Sequence, residues 1–108
     1  MAIDSNHFLT SASGRRVCQV LTKGRMKPLE LLHLVLKDCQ DILPGLQANA
    51  TYSTEALCGP VLWASWLTGE RRSAGMCLRY LLENRYLPLE LATAKGKFPL
   101  RFRLKASV

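Results

Sequence analysis

The chemistry that this sequence offers is cationic. Arg101, Arg103 and Lys105 alternate with Leu100, Phe102 and Leu104, so on an extended chain three cations point one way and three apolar side chains the other. Arg71, Arg72 and Arg79, accompanied by Ser73, Met76 and Tyr80, occupy a segment with helical periodicity. Lys95 and Lys97 flank Gly96 between these two patterns, and Arg15, Arg16, Lys23 and Arg25 gather near the start. An arginine can bridge two acceptors on guanine or clamp a phosphate, and a serine hydroxyl suits a phosphate oxygen. A row of cations on one strand face, beside two lysines at a tip, suits a phosphate backbone.

Other chemistries find no constellation. Cys18, Cys39, Cys58 and Cys77 lie about twenty residues apart with no C-x-x-C pair, whereas zinc sites draw two ligands from one tight turn. Cys39, Cys58 and Cys77 sit inside apolar helical patterns, which predicts buried thiols acting as small hydrophobes. A disulfide framework is not expected in a chain with an ample core and no export signal. His7 and His33 belong to no recognisable motif. There is no Gly-rich phosphate loop, paired-carboxylate motif or metal-ligand cluster. The expectation is a non-enzyme with no cofactor and no metal.

The net charge is +7, and its distribution is uneven. Residues 1–27 carry +4, residues 28–67 carry −3 and residues 68–108 carry +6. Positive charge at both ends of an otherwise ordinary composition points to a polyanion partner. No run approaches ~18 consecutive apolar residues, so no membrane span is expected. The first residues lack the layout of a secretory signal, so an intracellular, cytoplasmic location is expected.

These cations need elements to position them. Residues 1–26 are Ser-, Gly- and Arg-rich, which predicts a loosely tethered basic tail or an arm reaching a groove. Residues 27–43 form a helix that Pro28 opens, with Leu29, Leu32, Leu36, Cys39 and Leu43 on one face and Leu31, Leu34, Val35 and Ile42 widening it. Residues 44–53 read as a loop. Residues 53–67 are a second helix, or a pair broken at Gly59-Pro60, with Ser53 or Thr54 as cap and Trp63 and Trp66 favouring the core. Thr68 is a plausible cap for a third helix over 69–84. There Ala74, Leu78, Leu81 and Leu82 face inward, and Arg72, Ser73, Met76, Arg79, Tyr80 and Glu83 face outward. Gly75 mid-helix suggests a close crossing. Residues 87–105 then read as a hairpin, with Pro88 confining its first strand to an edge.

Over residues 53–105 the pattern resembles a winged helix-turn-helix: a helix with a Gly-Pro break, a Thr-Gly turn, a basic amphipathic helix and a two-stranded wing. The run CLRYLLENRYLPLEL is similar to a recognition helix entering its wing. Asn84-Arg85 stands where many family members have glycine; asparagine tolerates the same left-handed cap. The resemblance implies a mainly α fold with three core helices and a C-terminal wing over 27–108. It implies a double-stranded-DNA-binding role, often as a homodimer, and the 28–43 helix is apolar enough to offer that surface. By analogy the chain is a small transcriptional regulator of the kind that phages and plasmids encode. Two alternatives stand beside this one. A protein-binding module or inhibitor would use the 29–43 helix or the Trp63/Trp66 region. An RNA-binding protein would use the same cations.

Overall fold

The computed structural model describes residues 3–21, 25–94, 97 and 99–105. Within them the chain is mainly helical with a small three-stranded antiparallel sheet. Its order is α1 (Ser5–Thr10), α2 (Ala12–Leu21), α3 (Pro28–Ile42), β1 (Tyr52–Ser53), α4 (Thr54–Cys58), α5 (Pro60–Ser65), α6 (Thr68–Glu83), β2 (Leu89–Leu91) and β3 (Arg101–Leu104). No helix among the described residues is long and apolar enough to cross a membrane.

The largest departure from expectation is at the start. Residues 5–21 are not a tail but two helices joined by a tight corner. Asp4 caps α1 by accepting the His7 N–H. Ser11 makes the corner: its N–H donates to the His7 carbonyl at 2.9 Å, its hydroxyl donates to the Phe8 carbonyl at 2.7 Å, and its Oγ accepts the Gly14 N–H at 3.0 Å. Gly14 is buried at this corner, and a Cβ there would lie 1.5 Å from the Phe8 carbonyl oxygen. The pair is docked by Ile3, Phe8, Val17 and Leu21, all buried. Burial of each such side chain is worth roughly 1.5–3 kcal/mol. Together they match the net stability of a small domain, about 5–15 kcal/mol.

Helix α3 begins at Pro28, as the missing N–H of proline allows, and ends in a 3-10 turn over Leu43–Gly45. Leu31, Leu32, Val35 and Cys39 are fully buried. Glu30, His33, Lys37, Gln40 and Asp41 are its exposed side chains. Its apolar width is thus spent inside the fold. The large exposed hydrophobics among the described residues are Leu9, Val61 and Leu67, none of them on α3. Leu29, Leu34, Leu36 and Ile42 are half-buried, so the apolar surface that α3 leaves to the solvent is partial.

The Gly59-Pro60 break separates α4 from α5. Gly59 adopts φ 93°, ψ 142°, a region open essentially to glycine alone. Ser53 caps α4 through the Ala56 N–H. Helix α6 starts one residue earlier than expected, with Leu67 and not Thr68 at the cap position. Glu70 reaches back to the Leu67 N–H at 2.9 Å. At Gly75 an added Cβ would meet Thr54 Oγ1 at 3.5 Å and Leu100 Cδ1 at 3.7 Å. These are ordinary contacts, so a close crossing does not require the glycine.

The end of α6 is closed by two backbone bonds, Tyr86 N–H to the Leu81 carbonyl (2.9 Å) and Arg85 N–H to the Leu82 carbonyl (3.2 Å). This is the Schellman arrangement, and its left-handed residue is Arg85 (φ 63°), with Asn84 at φ −98°. The sheet that follows has the order β1–β3–β2. The loop expected over 44–53 thus ends in a strand. Tyr52 pairs with Phe102 and Ser53 with Arg101, while Leu89 pairs with Leu104 and Leu91 with Phe102. Strand β3 is therefore central, and β2, preceded by Pro88, is at the edge.

Two stability predictions follow from the backbone. Gly14→Ala should lower the unfolding free energy by about 2–3 kcal/mol, because the clash is with backbone and no rotamer relieves it. Arg85→Gly should raise it by about 1 kcal/mol by removing the left-handed strain. Urea melts of the two variants test both; unchanged midpoints would contradict these accounts.

Candidate nucleic-acid interface

Helix α6 is enclosed on more sides than an amphipathic pattern suggests. At about 100° per residue, Arg72, Met76, Arg79 and Glu83 form one narrow stripe. Arg72 and Glu83 are exposed, and Met76 and Arg79 are half-buried. Glu70, Ala74, Cys77, Leu78 and Leu81 are buried on the opposite side. The flanks are occupied as well. On one flank Gly69 abuts Val20 of α2, with 3.1 Å from a built Cβ to Val20 Cγ1. On the other, Gly75 faces Thr54 and Leu100.

Two residues expected on the outer face are consequently inside. Ser73 is fully buried, and its Oγ has no hydrogen-bond partner among the described residues. Tyr80 is 2% exposed. Its hydroxyl lies 2.8 Å from His7 Nδ1, Phe8 meets its ring edge-on at 4.8 Å, and Tyr86 stacks on it at 6.4 Å. Burial, with smaller contributions from Tyr86 and Asp4, holds the Tyr80 phenol above its ordinary range. Neither side chain can reach a ligand in this arrangement. The packed α1–α2 pair, which sequence reading took for a tail, is the physical reason.

Two further cations are occupied by structural work. Arg71 donates from Nε to the Trp63 carbonyl at 2.9 Å and lies over the Trp63 ring at 5.3 Å. Arg25 donates to the Ser65 carbonyl at 2.9 Å and to Glu70 Oε1 at 3.3 Å. Glu70 is 2% exposed, so Arg25 is the counter-charge of a buried carboxylate and not part of a free arm. Trp66 is buried, while Trp63 is half-buried. Glu70 lies in the first turn of α6, where the helix dipole favours negative charge, and His7, which belongs to no sequence motif, is positioned against Tyr80 by the fold.

The remaining cations are on the surface. Arg15 and Arg16 are exposed on α2. Arg16 lines a shallow groove of about 200 Å³ with Ala12, Ser13, Met76, Arg79 and Glu83. The structure therefore brings Arg16 of α2 beside Arg79 of α6. Arg79 pairs with Glu83 at 2.9 Å, one turn along.

On the hairpin, Phe102 is buried while Arg101, Arg103 and Lys105 are exposed, as the alternation predicts. Arg101 donates to the Thr51 carbonyl and hydroxyl at 3.1 Å. Arg103 forms a cross-strand pair with Glu90 at 2.7 Å. Surface pairs of this kind are worth about 0–1 kcal/mol, so a phosphate can displace them. Arg103 and Lys105 line an open concavity of about 730 Å³ together with Asn49, Pro88 and Glu90. Lys97 is exposed, and Lys23 and Lys95 lie outside the described residues.

No group of three or more His, Cys, Asp or Glu side chains among the described residues is placed to hold a metal. Cys39, Cys58 and Cys77 are buried. Burial pushes the Cys39 and Cys58 thiols up to about 12, and Cys77 is pushed up as well. Thiols held this far from ionising are poor nucleophiles and poor ligands. Cys39, Cys58 and Cys77 should therefore resist iodoacetamide in the folded protein at mildly alkaline pH and react after denaturation. Mass-spectrometric mapping checks this; alkylation of Cys77 in the folded protein would contradict it. Comparison with known proteins yields no family model, no curated protein and no solved structure that matches this chain.

Proposed function

We propose that this protein binds double-stranded DNA on a winged-helix scaffold, of the kind that small transcriptional regulators use. The observation that carries the reading is the cationic face of β3. Arg101 and Arg103 project from β3 and Lys105 follows directly after it, all three exposed, while the alternate residue Phe102 is buried. Charges on an edge strand are commonly explained as a guard against aggregation. Here the row holds three cations against one acidic partner, Glu90, and that surplus of positive charge on one face suits a phosphate backbone. The topology supports the same reading. A helix, a short strand, a broken helix, a basic helix and a hairpin follow in the order of a winged helix, and β1 adds to β3 as the third strand. Under this reading the protein works inside the cell, on the nucleoid.

The test is fluorescence anisotropy with a labelled random-sequence duplex at ~50 and ~200 mM salt. Binding should weaken steeply between the two. Substituting Arg101, Arg103 and Lys105 by Ala should weaken it evenly across sequences and lower the salt slope by up to about 0.9 per lost contact. An absence of binding at low salt would defeat the reading. Preference for single-stranded RNA in competition would transfer it to RNA.

A second reading has one observation in its favour. Val61 is 83% exposed and Leu67 53% exposed, and no charged residue lies between Pro60 and Thr68. Two exposed apolar side chains in an uncharged segment of so basic a protein suit a protein partner. Association through them would be nearly insensitive to salt and lost on Val61→Glu.

A further inference from the structure

We infer that α2 is part of the DNA-contacting surface, and that Arg15 and Arg16 on α2 act with Arg72 and Arg79 on α6 as one phosphate-binding ridge. This inference rests on the DNA-binding reading above and changes how the DNA is engaged. A helix-turn-helix places one recognition helix in the major groove. Here α6 is not a free-standing helix. Its flank beside the exposed stripe is covered by α2, through Gly69 against Val20 and through the groove that Arg16 and Arg79 share.

Size limits how the packed pair can sit on a duplex: α2 meets the backbone whichever way α6 faces. A helix with its side chains is about 10–12 Å across, and a major groove about 12 Å wide admits one. Packed helices have axes about 8–10 Å apart, so a pair measures roughly 18 Å or more. The α2–α6 pair is too wide to enter as a body. Nor can α2 step aside cheaply, since Phe8, Val17 and Leu21 anchor α1 and α2 in the core and Gly14 locks their corner.

What the ridge presents matches a backbone and not base edges. Arg15, Arg16 and Arg72 are exposed cations. Arg79 is half-buried, and its acidic partner Glu83 sits on the same stripe. Ser73 and Tyr80, the neutral hydrogen-bonding groups that could read bases, are inside. Guanidinium groups on two adjacent helices can grip neighbouring phosphates without penetrating a groove.

The experiment uses the full chain and the same duplex. Arg15→Ala/Arg16→Ala should bind roughly tenfold more weakly at ~50 mM salt and reduce the salt slope by nearly 2. Arg15→Lys/Arg16→Lys should keep most of the affinity, because phosphate contact needs charge more than the guanidinium fork. Hydrogen exchange should show the amides of Val17–Leu21 equally protected with and without DNA. If the wild type binds in a salt-dependent way and the double alanine variant stays within twofold of it, this inference fails while the DNA-binding reading stands. Loss of α2 protection on adding DNA would also overturn it, since α2 would then be moving aside. If the wild type shows no salt-dependent binding, both fall together.

Discussion

Helix α6 has almost no side of its own, and the rest of the structure depends on that enclosure. Its apolar side packs on α3, its Gly69 flank takes α2, and its Gly75 flank takes Thr54 at the start of α4 and Leu100 before β3. Gly69 lets Val20 approach, and Tyr80 provides an aromatic platform for Phe8, His7 and Tyr86. A central helix so enclosed ties the N-terminal pair, the middle helices and the sheet into one core. Only a stripe about one residue wide is left to the solvent.

That enclosure also decides where the charge can act. The cations nearest the core become structural: Arg71 stacks on Trp63, and Arg25 neutralises Glu70. Those that remain at the surface stand on α2, along the α6 stripe and on β3. In sequence they belong to separate clusters, and the fold joins the first two. The four cysteines mark a parallel division of labour, with three thiols given wholly to packing.

The elements with strong periodicity were legible in the sequence. Helix α3, helix α6 and the alternation of β3 each follow from apolar spacing alone, and Pro28 and Gly59-Pro60 mark boundaries that the structure keeps. The N-terminal pair was not legible, because its anchors Phe8, Val17 and Leu21 are far apart in a polar, Ser- and Arg-rich segment. Strand β1 is two residues long and exists only because β3 pairs with it. The exposed cations of the site were read correctly as exposed where the pattern was local, as on β3. The misreadings at Tyr80 and Arg25 share one cause: each is held by a partner distant in the chain, His7 and Glu70 respectively, which no local window contains.

The two-residue strand has a mechanical meaning. A hairpin bonded only to its own helix could flap about that junction. Here Tyr52–Ser53 and the Arg101 contacts to Thr51 pin β3 to the chain before α4, and the Schellman closure fixes how the hairpin leaves α6. The cationic strand is therefore held at both ends, like a plank nailed across two beams. Its ordering entropy is lost on folding and not on association. A rigid charged face of this kind favours fast, electrostatically steered encounter, with little conformational adjustment afterwards.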